Sequence, residues 1–141
     1  MAGQIVIKEA ENSLDHDGLR SLISIEGCGA VVSFLGITRG YDGNEPVIRL
    51  EFDAWKDKLA LVLNELAEQA INLFSLHSVA MAHRTGDVGP TEPIVSIHVA
   101  SPHRKEAFEG CSWLIDELKQ QAPLWKKEVK PSGENWKAGL G

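Results

Sequence analysis

Lysine amines supply the first candidates for chemistry in this chain. In APLWKKEV, from Ala122 to Val129, Lys126 and Lys127 stand together between Trp125 and Glu128, and shortly before them LIDELKQQ carries Lys119. At 100° per residue Lys119 falls on the flank of its helix's apolar stripe, four positions after Ile115. Pro123 turns the chain, so the lysines that follow return toward the end of that helix. Ammonium groups crowded in this way repel one another. Repulsion with partial desolvation lowers a lysine pKa and suits the amine to general-base or nucleophilic work. Period-two alternation puts Lys126 with Glu128 on one face of a strand and Lys127 with Trp125 on the other. Lys126 is therefore the partner for Lys119, with Glu128 as the internal counter-ion. Spacing by itself favours a plainer alternative, a solvated basic edge whose lysines keep their stems packed and their charges wet.

Three further side chains suit an anion. SPHRKEAF places His103 and Arg104 at the start of a helix, where free backbone N–H groups and the helix dipole attract phosphate. The alternative there is that Ser101 or His103 caps the helix and Arg104 pairs with an acid. Arg39 lies in the glycine-flanked loop GITRGYDG, at a strand exit suited to ligand contact. A metal centre is not expected, because His77, His83 and His98 follow no common ligand spacing. Cys111 falls within a helical apolar stripe and reads as a packed thiol, while Cys28 has no activating base near it in sequence. Trp113 points away from the stripe of its helix and suggests a covered subunit surface.

The whole chain bounds these readings. Its 141 residues suit one domain, 1–141, and its 43% hydrophobic and 24% charged residues are ordinary for a globular protein. A net charge of -6 argues against sequence-independent nucleic-acid binding, which needs many cations to displace counterions. Two cysteines are too few for a disulfide framework, no apolar run is long enough for a bilayer, and the start lacks a signal-peptide pattern, so a cytoplasmic location is expected.

The elements that position the candidates follow from periodicity. QIVIKE, GAVVSFLGI, VIRLEFDAW, SVAMAHRTG, PIVSIHVAS and LWKKEV read as strands, with LDHDGLRSLIS as a short helix. Between Lys56 and Phe74 the positions Leu59, Val62, Leu63, Leu66, Ala70, Leu73 and Phe74 form a helical stripe. Ala107, Phe108, Cys111, Leu114, Ile115 and Leu118 form another between about Arg104 and Gln121. SVAMAHRTG and PIVSIHVAS are expected to pair around the turn between them, and KPSGENWKAGLG reads as a turn and tail. The order predicts an α+β fold, a largely antiparallel sheet with helices packed on one face.

GAVVSFLGITRG, HRTGDVG, SPHRKEAF, LIDELKQQAPLWKKEV and GENW, in this order from Gly29 to Trp136, together resemble the signatures of the large, catalytic subunits of molybdopterin synthase. The resemblance implies an α/β-hammerhead fold and a homodimer within a heterotetramer. Its partner is a small ubiquitin-like sulfur-carrier subunit ending in a Gly-Gly thiocarboxylate. The implied activity is a sulfurtransferase of molybdenum cofactor biosynthesis, acting on cyclic pyranopterin monophosphate without a cofactor or metal. By position, Lys119 and Lys126 match the catalytic lysines. Ile37, Thr38, Arg39, His103, Arg104, Lys127 and Glu128 match the pterin and phosphate pocket, which in the family draws on both protomers. GPTEP in the turn and EFDAW at a strand end depart from the family pattern at packing positions. Two rival classes are an adaptor that only docks the small subunit's tail and an unrelated phosphate-ester enzyme.

Overall fold

The computed structural model describes residues 3–137. In chain order the elements are β1 (Gln4–Ala10), α1 (His16–Ser21), β2 (Ala30–Ile37), β3 (Tyr41–Asp42), β4 (Glu45–Pro46), β5 (Arg49–Ala54), α2 (Lys56–Phe74), β6 (Ser78–Arg84), β7 (Gly86–Val88), β8 (Pro93–Ser101), α3 (Arg104–Gln121), β9 (Leu124–Lys130) and β10 (Gly133–Lys137). They form a sheet ordered β1-β6-β8-β2, a second ordered β10-β9-β5-β7, and the small ribbon β3-β4. Every pairing is antiparallel except β1 with β6.

Burial explains the central strands. Every residue of β6 is buried, because α2 and α3 cover one face of the first sheet and α1 the other. Val79, Met81, Ile97 and Val99 meet Leu63, Leu66, Leu114 and Leu118 on the long-helix side. Leu19 and Ile23 pack on Ala80, Ala82 and Ala100 opposite. The two long helices thus share a face as expected, and the short one takes the other face.

The connection between β6 and β8 builds the space that matters. The chain leaves the first sheet at Gly86, whose φ of +80 suits glycine. It pairs Gly86–Val88 with Leu50–Phe52 of β5, then returns as β8 beside β6. The expected β6–β8 pairing exists, with a strand of the second sheet inserted in its loop. That excursion stitches the sheets together and leaves a cleft between the end of α3 and the inner face of β5 and β9.

Two helical positions differ from the sequence reading. Phe108, assigned to the stripe, is 62% exposed, whereas Trp113 packs partly against the core with its ring 6.1 Å from Phe74. The cause lies in the neighbour. Gly110 packs against Leu76, just beyond the end of α2, where an added Cβ would stand 2.9 Å from Leu76 Cδ1. Trp113 is three residues on and shares the α2 side. Phe108 lies on the opposite flank, so Trp113 is not the outward residue that spacing suggested. Leu73, also assigned to a stripe, is exposed at the end of α2.

Gly29 stands just before β2 and donates to the carbonyls of Ser101 and Pro102. A Cβ there would stand 2.6 Å from the Pro102 oxygen, a backbone atom that cannot swing aside. Gly29→Ala is expected to cost about 1–3 kcal/mol, as overpacking does. A urea midpoint equal to that of the parent chain would contradict this.

Candidate active site

Strand register sorts the lysines of β9. Lys126 and Glu128 pair with Phe52 and Leu50 on the inner face of the second sheet, while Lys127 pairs with Glu51 on the outer one. Lys127 Nζ lies 3.5 Å from Glu51 Oε1, 3.4 Å from Glu134 Oε2 and 5.4 Å from the centre of the Trp136 ring. It therefore faces away from the cleft of its own chain. Lys127→Ala is expected to leave substrate KM within about twofold and to cost under about 1 kcal/mol of stability, the range for surface ion pairs. A tenfold rise in KM would return Lys127 to the site.

The cleft is a cavity of about 230 Å³. Phe34, Leu50, Phe52, Ile97, Ile115 and Leu118 give it apolar walls, and Arg39, Lys119, Lys126, Asp42 and Glu128 give it charged groups. Lys119 stands in the last turn of α3, where the helix dipole favours a cation. The chain then becomes extended at Ala122, and Trp55 N donates to the Pro123 carbonyl at 3.0 Å, fixing the turn into β9. In this way a helix end and a strand deliver amines to one space.

Electrostatics ties the group together. Burial, followed by the positive charges of Lys137, Arg39 and Lys119, holds the Lys126 ammonium below the usual lysine value, and Glu128 opposes them. Glu128 is 8% exposed and lies 3.0 Å from Lys130 Nζ. Lys130 also pairs with Asp42, and the two carboxylates raise its pKa. Lys137 Nζ is 3.9 Å from both Asp42 and Glu128. This network, with Glu45 accepting from the Ser132 N–H at 3.0 Å, fastens the β3-β4 ribbon beside the cavity.

The remaining sequence candidates divide. Ile37 and Arg39 line the cavity; Thr38, between them, is buried and turned from it. His103 and Arg104 are exposed at the far end of α3. At about 1.5 Å per residue the helix sets Arg104 roughly 20 Å from Lys119. One chain therefore does not bring Arg39, His103 and Arg104 into a single phosphate-holding trio, and a rigid helix is the reason. His103 is the N-cap residue without a side-chain cap bond; its backbone N–H donates to Ser101 Oγ at 3.1 Å. Its ring is left for other contacts.

Several groups in or beside the cavity carry little signal in the sequence. His83 lies on the floor, buried, its Nδ1–H donating to the Arg84 carbonyl at 2.7 Å and its pKa pushed down to about 4 by burial. Its HR motif was visible, but nothing in spacing marked its depth. Tyr41 and Asp42 lay in the polar loop already singled out near Arg39. Lys137 was legible only to a reader who took GENWK as a strand, which pairs it with Lys126. Among the described residues no group of three His, Cys, Asp or Glu side chains could hold a metal. Cys111 is buried, and burial raises its thiol to about 11.

Comparison with known proteins gives these groups a context. Residues 9–121 match the model of the MoaE protein family. The chain is 40% identical over 111 residues to the molybdopterin synthase catalytic subunit of Caulobacter vibrioides, covering 79% of this chain and 73% of that protein. It is 36% identical over 140 residues to the corresponding subunit of Culex quinquefasciatus, covering 96% and 88%. Among solved structures, molybdopterin synthase from Staphylococcus aureus superposes with a TM-score of 0.85 at 27% identity, over 98% of both chains. A complex of subunits 1 and 2 of molybdopterin-converting factor from Helicobacter pylori superposes at 0.75 and 25% identity, over 92% of this chain and 88% of that one. With family model, relatives and fold in agreement over most of the chain, the protein belongs to the MoaE family, the catalytic subunits of molybdopterin synthase.

Proposed function

We propose that this cavity transfers sulfur from the C-terminal thiocarboxylate of a small ubiquitin-like subunit to cyclic pyranopterin monophosphate, forming the dithiolene of molybdopterin. The observation that carries the reading is the convergence of Lys119 and Lys126, from separate elements, on one apolar-walled cavity that Arg39 also lines. An extended Gly-Gly tail suits such a narrow space, and its anionic end suits two amines. The Helicobacter pylori relative, solved as a complex of two subunits, supports a protein partner of this kind.

Lys119 and Lys126 orient the thiocarboxylate and exchange protons while sulfur adds to the pterin side chain and an oxygen group leaves as water; water then cleaves the acyl–sulfur bond and frees the small subunit as its carboxylate. Burial weakens the hold of Lys126 on its proton, which suits it to that exchange. Arg39 holds the substrate phosphate, and Glu128 keeps Lys126 in place. His103 and Arg104 serve the cavity of a second copy, in a homodimer of large chains with one small subunit for each. Their exposure at the start of α3, so far from their own Lys119, favours that arrangement over a role at home. The assembly works in the cytoplasm.

The purified chain, mixed with thiocarboxylated small subunit and the pterin precursor, is expected to form the dithiolene product. A complex that forms without product would favour the adaptor. Absence of both complex and product would leave only unrelated phosphate chemistry.

A further inference from the structure

Arg84 stands where β6 leaves the first sheet, and it is only 4% exposed. Its Nη2 donates to the Asp87 carbonyl at 2.7 Å, and its Nη1 lies 3.4 Å from Glu92 Oε2. One buried guanidinium thus bridges the two ends of the connection from Asp87 to Glu92. Within that connection Thr91 adopts a φ of +67, a left-handed conformation that β-branched residues rarely take. Such strain persists where the surroundings over-determine it, and it concentrates near functional sites.

The connection holds Thr38, the residue before Arg39, by two backbone bonds. Thr38 N donates to the Glu92 carbonyl at 3.0 Å, and Thr91 N donates to the Thr38 carbonyl at 2.9 Å. On the other side, a Cβ at Gly40 would stand 3.8 Å from Pro90 Cβ. Thr38 is 2% exposed and its Oγ1 has no hydrogen-bond partner among the described residues. Its backbone bonds to this connection, rather than its hydroxyl, therefore fix its place. We propose that Arg84 is a positioning residue for Arg39: by clamping the Asp87 carbonyl and the Glu92 carboxylate, it fixes the backbone from which Arg39 meets the substrate anion. The proposal rests on the reading of Arg39 as a phosphate contact. A guanidinium suits the task because its planar fork addresses two acceptors in fixed directions, which a lysine cannot do.

The test uses the chain assembled with its thiocarboxylated small subunit. Glu92→Gln, at a half-exposed side chain, keeps the fold and loosens the clamp; Arg84→Lys keeps the charge and loses the fork. Both are expected to raise KM for the pterin phosphate about 3- to 10-fold, with kcat within about twofold. Neither should raise it further once Arg39→Ala is present, because residues acting through one group are not additive. Amide exchange at Thr38 and Thr91 should quicken at least about tenfold in both variants, a local opening that activity does not report. Unchanged exchange, or a KM effect that persists in full with Arg39→Ala, overturns the positioning role alone. A normal KM for Arg39→Ala by itself overturns the reading of Arg39, and this inference with it.

Discussion

Lys119→Ala is expected to lower turnover about 10²- to 10⁴-fold, the usual range for loss of a positioned general acid or base. The same variant should keep the fold and still bind the small subunit. Lys119 is exposed in the last turn of α3, so removing it opens no core cavity, while Leu118 beside it remains buried. Its loss leaves Lys126 with one fewer positive neighbour, so the remaining amine should become more basic. Lys119→Arg keeps a charge but holds its proton too tightly for exchange, and it should also be slow. Single-turnover assays on assembled complexes check this. Near-normal turnover by Lys119→Ala would remove the lysine from the mechanism.

The second large effect is on stability in acid. His83 and His98 are both buried, and burial pushes each pKa down to about 4. His98 is fully enclosed by Ser33, Ser96 and His16: Ser33 Oγ lies 2.6 Å from its Nδ1, and its Nε2 donates to the His16 carbonyl at 3.0 Å. The His16 ring sits 4.5 Å away, and the charges of Arg20 and Asp17 act on the same imidazole from α1. Unfolded, both histidines take up a proton near pH 6.5, whereas folded they stay neutral down to about 4. Between those values the unfolded chain binds more protons. Stability is therefore full above about pH 6.5 and is lost as the pH falls through 4. Each histidine contributes on the order of 2–3 kcal/mol to that loss, a large share of an ordinary domain's stability. Urea midpoints at pH 7.5, 5.5 and 4.5 should fall steadily, and His98→Asn should flatten the slope. A midpoint that does not move across this range would contradict the burial of both rings.

Much of this architecture could be read from residue order. The α2 and α3 stripes and the alternation that separates Lys126 from Lys127 are local properties, set by helix and strand periods. The register bears out that alternation, with Lys126 and Lys127 on opposite faces of β9. What could not be read depends on neighbours. Phe108 and Trp113 exchange places because Phe74 and Leu76 pack on the Gly110–Trp113 side of α3, a fact no single-helix projection contains. β10 has no apolar alternation and exists because β9 offers it an edge. The insertion of β7 into the second sheet depends on three residues, too few for a periodic signal. In the site, the meeting of Lys119, Lys126 and Arg39 at one cavity was legible from residue type and motif. The separation of His103 and Arg104 from them needed only the length of α3, already present in the helical stripe. The depth of His83 and the clamp around Arg84 needed the fold.

The central claim is that two amines and one guanidinium receive a thiocarboxylate tail and a phosphate in a single space. A crystal structure of this chain with its small subunit and the pterin phosphate measures that directly. The tail's terminal atoms are expected within hydrogen-bond reach of Lys119 and Lys126, with the phosphate on Arg39 and on His103 and Arg104 of a second copy. A tail seated outside the cavity, or a phosphate remote from Arg39, would contradict the account.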